Sequence, residues 1–159
     1  ELAELRSHAN YVIDTSSLKV AEMNSELDKL FGSKTKKASF VLNLMSFGYK
    51  HGMPAEADWV IDVRFIPNPY YVSSLKKLTG NNKKVAQYVM KQDITKEFVN
   101  RFHEIIARLL PCYVKEGKYS LTIAFGCTGG QHRSVALANE FYKIFTAEGW
   151  RVTLEHREL

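Results

Sequence analysis

The sequence of 159 residues predicts an α/β fold, a mostly parallel sheet flanked by helices. Three observations carry that prediction. β-rich runs alternate with stretches of helical periodicity from Ser39 onward. A glycine-rich loop, Gly126 to Gly130, joins a short apolar run to an amphipathic one, the junction at which such sheets place ligands. The composition, 45% hydrophobic and 25% charged, is that of a globular domain with room for one core and little for two.

The elements follow in order. Tyr11 to Leu18, YVIDTSSL, reads as a short strand entering a turn. Val20, Met23, Leu27 and Leu30 then recur at helical spacing. The polar, basic stretch beginning GSKTKK at Gly32 reads as a linker. The predicted organisation is therefore 1–31, the end of a preceding domain; 32–38, the linker; and 39–159, a domain with its own core. Ser39 to Phe47 and Asp58 to Phe65 are the next strands, joined by a short and partly helical connection. Pro67 and Pro69 break the chain, and TGNNKK turns it. A short helix over Val85 to Met90 precedes a long one over Thr95 to Tyr113, striped by Phe98, Phe102, Ile105 and Leu109. Ser120 to Gly126 is a short buried strand. The helix after it carries Val135, Ala138, Tyr142 and Phe145 on one face and stops at Gly149. WRVTLEHR closes as a last strand. Strands separated by helices predict a sheet covered on both faces. No internal repeat or low-complexity tract occurs.

Composition limits function only broadly. The formal charge is +5, with lysines grouped at Lys34, Lys36 and Lys37, at Lys76 and Lys77, and at Lys83 and Lys84. Such groups attract RNA or phosphorylated ligands, or are simply solvated loop charge. No aromatic-basic RNA signature is present. No apolar run approaches bilayer length, and the first residues do not read as a signal peptide. Cys112 and Cys127 lack framework spacing, which fits a reducing compartment. The expectation is a soluble cytoplasmic domain without a membrane partner. The histidines have no metal-type spacing. Neither G-x4-G-K-[ST] nor G-x-G-x-x-G occurs, so no nucleotide cofactor is expected for these residues.

The loop GCTGGQHRS suits an anion. Gly129 and Gly130 let the backbone turn tightly and approach a ligand. The helix that follows offers free N–H groups and the positive end of its dipole. Arg133 can fork onto phosphate oxygens, and Thr128, His132 and Ser134 add donors. The competing reading is a plain strand-to-helix turn with surface His132 and Arg133. Cys127 and Arg133, five residues apart, also fit the C-x5-R-[ST] loop of cysteine phosphatases. There the thiolate attacks phosphorus, the arginine holds the equatorial oxygens, and Asp58 or Asp62 is the available general acid. Gly126 stands where such loops usually have histidine. A third reading is an oligomerisation domain whose loop holds only adventitious anions.

GCTGGQHRS together with SFGYKHGMP, DVRFIPNPYY and LTG strongly resembles the C-terminal domain of the RapZ/YvcJ family. These are P-loop nucleotide-binding proteins, of which RapZ is an RNase adapter in amino-sugar control. The resemblance runs from about Ser39 to Leu159. YVIDTSSL resembles the close of the family's N-terminal domain, whose Walker loop these residues lack. The resemblance implies a phosphofructokinase-like core, a homo-oligomer, and a pocket for a phosphorylated amino sugar of the glucosamine 6-phosphate type, or a nucleotide sugar. Carried onto this chain, that pocket uses Asp62, Cys127, Thr128, Gly129, His132 and Arg133. ATP or GTP, with ATPase or GTPase activity, is implied for the N-terminal domain. Small RNA and a ribonuclease are the partners on the RapZ branch. Tyr70 stands where RapZ has histidine, and PNPYY is closer to the YvcJ branch, where a regulator of cell-wall precursor synthesis is as good a partner. Asp62 pairs with a ligand amine or hydroxyl, or ties to Arg64 or Arg133. Arg64 carries the same ambiguity. Tyr70 and Tyr71 wall a sugar pocket, or pack the turn between the prolines.

Overall fold

A computed structural model describes residues 12–31 and 40–159. The chain divides after Lys34 into two compact units.

In the first, residues 12–18 do not form the expected strand; they run irregularly into a turn at Ser16 and Ser17. Asp14 Oδ1 accepts the Ser16 N–H at 3.0 Å, and the Leu18 N–H bonds to the Thr15 carbonyl at 3.2 Å. These local bonds take up the backbone groups that a strand ladder needs. Helix α1 (Val20–Phe31) forms where the periodicity predicts it. The Glu22 carboxylate accepts the Lys19 N–H at 2.9 Å and caps the first turn. Tyr11 and the expected linker over 32–38, with Lys34, Lys36 and Lys37, lie outside the described residues, as does Ser39.

The second unit contains β1 (Val41–Gly48), β2 (Trp59–Asp62), α2 (Lys83–Met90), α3 (Asp93–Glu116), β3 (Ser120–Cys127), α4 (Arg133–Ala147) and β4 (Arg151–His156). The strands form one sheet, parallel throughout, in the order β2-β3-β1-β4. Crossovers between parallel strands are right-handed. The steps β2 to β3 and β3 to β4 run the same way across the sheet, so α2, α3 and α4 share one face. The step β1 to β2 runs the other way and puts residues 49–58 on the opposite face. Both faces of the sheet are thus covered, but unequally.

The burial follows this arrangement. Leu42, Leu44, Leu121, Ile123 and Phe125 point at the helices and meet Val85, Val89, Ile106, Leu110, Phe141 and Phe145. Phe125 stacks on Phe141 with centroids 5.1 Å apart, and Phe102 sits edge-on to both. Met45, Phe47 and Ala124 form a smaller cluster on the other face, under Tyr49 and Ala57.

β2 is shorter than the expected Asp58 to Phe65. At its start the Asp58 carboxylate leaves the ladder and accepts the Thr122 N–H at 2.8 Å. At its end the Val63 N–H makes a last bond to Gly126, after which Asp62 draws Arg64 into a tight turn. α3 runs past the expected limits to Gly117, whose φ of 90° closes it in a left-handed cap. The register pairs Gly48 with Cys127 and Asp62 with Gly126. The C-terminal ends of β1, β2 and β3 therefore lie side by side. Among the described residues no helix is long and apolar enough to cross a membrane.

Candidate functional site

The loop 128–132 leaves β3 at this edge and enters α4. Gly48 and Gly130 let two backbones touch. A Cβ on Gly48 would lie 2.7 Å from the Gly129 carbonyl carbon and 2.8 Å from the Gly130 nitrogen. Gly130 has φ 72°, and its missing Cβ would meet the Glu158 carboxylate and the Gly48 nitrogen. Gly129 differs: a Cβ there would reach only the Lys50 side chain, at 3.7 Å. Its open side faces a cleft.

Cys127 ends β3 with 3% exposure, and its Sγ lies 3.2 Å from the Ser134 Oγ beneath it. Burial pushes the thiol pKa up. Hydrogen bonds from the Ser134 hydroxyl and from the N–H groups of Ser134, His132 and Gly130 outweigh that and leave it lowered. Those N–H groups converge as they do where a helix N-terminus receives an anion. No side chain caps α4 at His132. Its first turn thus has no side-chain cap, and the Ser134 N–H turns to the Cys127 sulfur instead.

Arg133 is 5% exposed. Its Nη1 donates to the carbonyls of Arg64 and Ile66, both at 2.9 Å, and its Nη2 reaches the Thr128 hydroxyl at 3.4 Å. One nitrogen of the expected phosphate fork is therefore committed to the chain leaving β2. Nε is buried without a partner, as is Nε2 of His132, itself 9% exposed.

These groups line a cleft of about 320 Å³. Cys127, Thr128, Gly129, His132 and Arg133 form one side. Tyr70 and Tyr71 form another, on a 3₁₀ turn capped by Asn68, whose Oδ1 accepts the Tyr70 N–H. Both tyrosines wall the cleft, with Tyr71 85% exposed. Lys50, Asn68 and Gln131 complete it and were not anticipated from the sequence. Lys50 follows the end of β1, which the sheet sets beside the end of β3, and its N–H bonds to the Thr128 carbonyl.

Four expected site residues lie outside the lining. Ser134 is buried beneath Cys127, and Gly130 packs against Glu158 and Gly48. Asp62 and Arg64 pair with each other, Nη2 to Oδ2 at 2.7 Å and Nε to both oxygens at 3.0 Å, while the Arg64 guanidinium rests 4.2 Å over the Tyr49 ring. The hydrogen bond from Arg64 is the largest influence on the Asp62 carboxyl and holds it below its usual range. The two candidate acids of the phosphatase reading fare poorly. Asp58 precedes β2, at the end of that strand away from the cleft, and bonds to Lys118; Asp62 is held by Arg64 with its pKa lowered.

Among the described residues no group of His, Cys, Asp and Glu could hold a metal ion. His103 pairs with Glu148, and His156 Nδ1 lies 2.9 Å from the Ser46 hydroxyl.

A family model described as the RapZ C-terminal domain matches residues 40–159, the whole of the second unit's described part. The chain belongs to the RapZ C-terminal domain family. Curated relatives agree. A nucleotide-binding protein of Caldanaerobacter subterraneus subsp. tengcongensis is 48% identical over 158 residues, 99% of this chain and 56% of its own length. Nucleotide-binding proteins of Alkaliphilus oremlandii and Clostridium botulinum are 45% and 43% identical, with 54% of each covered. The chain thus spans little more than half the length of these relatives. The RapZ C-terminal domain match coincides with the parallel sheet and carries the glycine loop, the tyrosine turn and Lys50.

Proposed function

We propose that this chain is the sensing module of a RapZ-type protein, and that the cleft binds a phosphorylated amino sugar of the glucosamine 6-phosphate type or a nucleotide sugar. The observation that carries the reading is that His132 and Arg133, whose Nε2 and Nε are buried without a partner, line one small cleft with a helix N-terminus that no side chain caps. The phosphate sits over Thr128 and Gly129, and Lys50 supplies a cation at the mouth. A sugar ring packs on the Tyr70 and Tyr71 rings, with the Asn68 and Gln131 amides for its hydroxyls.

Ligand occupancy is read out by an RNA or a protein, a ribonuclease or a regulator of cell-wall precursor synthesis. The exposed Lys76, Lys77, Lys83 and Lys84 lie close in sequence to the tyrosine turn and suit a polyanionic partner. Self-association uses the apolar groove of α3, where Phe65, Ile94 and Ile105 are each about half exposed. ATP or GTP binding belongs to the remainder of the protein, in keeping with the name its relatives carry. Equilibrium dialysis against glucosamine 6-phosphate, a nucleotide sugar and inorganic phosphate tests the reading. Equal retention of all three makes the loop a general anion site.

The contact between Cys127 Sγ and Ser134 Oγ favours a second reading, a cysteine phosphatase. It lacks a general acid, because Asp58 is remote and Asp62 is held by Arg64. Turnover of an aryl phosphate that disappears in Cys127→Ser would restore it.

A further inference from the structure

We propose that Cys127 is a covalent modification site, oxidised by hydrogen peroxide at the floor of the cleft and shielded whenever an anion occupies it. The inference rests on the anion-site reading above, but concerns chemistry that binding does not require.

Two cysteines make an internal comparison. Cys112 is exposed, on α3 outside the cleft, with its Sγ 3.5 Å from the Arg108 carbonyl. On exposure alone it should react first. Cys127 is buried, yet it lines the cleft and its sulfur is the point on which the N–H groups of Gly130, His132 and Ser134 converge. The Ser134 hydroxyl lies 3.2 Å away. The Arg64 guanidinium is near enough for its charge and that of a Cys127 thiolate to act on each other. His132 and Arg133, whose Nε2 and Nε are buried without a partner, line the same cleft. Against its burial, the N–H groups, the Ser134 hydroxyl and the Arg64 charge favour sulfur as an anion, the nucleophilic form. They equally favour a bound phosphate, so thiolate and ligand share one set of donors.

The step balances without a further reactant. The Cys127 thiolate attacks one oxygen of hydrogen peroxide, the S–O bond forms and the O–O bond breaks. Sulfur loses two electrons and becomes a sulfenic acid, and the departing hydroxide takes a proton to leave as water. The added oxygen then extends from the sulfur into the cleft that Thr128 and Gly129 also line. Oxidation therefore closes the cleft to phosphate, and a thiol reductant reopens it.

The test uses the chain with both cysteines present. It is treated with hydrogen peroxide, the sulfenic acid is trapped with dimedone, and the adduct is mapped by mass spectrometry, with and without inorganic phosphate. A parallel pair of reactions compares iodoacetate with iodoacetamide. The expected result is a dimedone adduct mainly on Cys127, suppressed by phosphate, with an iodoacetate-to-iodoacetamide rate ratio at Cys127 about tenfold above that at Cys112. Phosphate binding seen by calorimetry without any Cys127 adduct overturns the modification site and leaves the anion site standing. A Cys127 adduct with neither anion preference nor phosphate protection overturns the anion-site reading, and the shielded site with it.

Discussion

Arg133 reaches back to the carbonyl of Ile66, 67 residues earlier in the chain, and holds it at 2.9 Å. A second bond from the same Nη1 takes the Arg64 carbonyl. The guanidinium thus staples the exit of β2 to the start of α4 and sets the distance between the tyrosine turn and the glycine loop. Arg133→Ala leaves two inward-facing carbonyls without a donor, at roughly 1–3 kcal/mol each where no water replaces it. A urea-unfolding midpoint lowered by at least about 2 kcal/mol equivalent is expected. Unchanged stability would show that these bonds hold nothing.

The two loop glycines separate folding from binding. Gly130→Ala meets Glu158 and Gly48 and must hold φ near 72°, a strain of about 1–2 kcal/mol from conformation alone. Gly129→Ala has ordinary contact distances to Lys50 and should stay within about 0.5 kcal/mol of the parent. Its methyl group instead enters the cleft. Thermal melts and phosphate titrations of the two variants should therefore give opposite patterns: Gly130→Ala melts early, and Gly129→Ala melts normally but binds weakly.

This division also marks what the sequence disclosed. The periodicity of Phe98, Phe102, Val135 and Ala138 and the apolar runs around Leu42 and Ile123 were enough for the sheet and its long helices. Gly129 and Gly130 were enough for the loop. YVIDTSSL misled because its β-branched start is outweighed by Asp14, which bonds to its own neighbour at Ser16. The roles of Arg133 and Asp62 were not legible, since a side chain that can grip a ligand can equally grip a backbone carbonyl or an adjacent arginine. Lys50 was hidden for a related reason: only the parallel pairing of β1 with β3 brings it to Thr128.

Selectivity for the ligand amine should be modest. Arg64 occupies both oxygens of Asp62, and no carboxylate lines the cleft among the described residues. Glucosamine 6-phosphate and glucose 6-phosphate should differ less than about tenfold, under 1.4 kcal/mol. Arg64→Ala frees Asp62 and should raise that preference. A large preference in the parent chain, unaltered by Arg64→Ala, would place the amine elsewhere.

Acid should weaken the fold through Asp58. Burial alone would raise its carboxyl pKa, but the hydrogen bonds from Lys118 and the Thr122 N–H, with the Lys118 charge, outweigh burial and lower it. A folded-state value below the unfolded one means stability that is present above about pH 4 and is lost as pH falls through the lowered value. The side chain is 34% exposed, so screening holds the effect to about 1 kcal/mol or less. Asp58→Asn should unfold at lower urea than the parent at pH 7, and the gap should close towards pH 2. A gap independent of pH would assign the loss to packing.

The most direct measurement is calorimetric titration of the parent chain and Lys50→Ala with glucosamine 6-phosphate and with inorganic phosphate. Lys50 is exposed and lines the cleft without holding the fold. Saturable binding is expected, tighter for the sugar phosphate than for phosphate, and weakened about tenfold or more in Lys50→Ala with no change in melting. No binding, or equal affinity for both ligands that Lys50→Ala leaves untouched, would contradict the assignment of this cleft as a sugar-phosphate sensor.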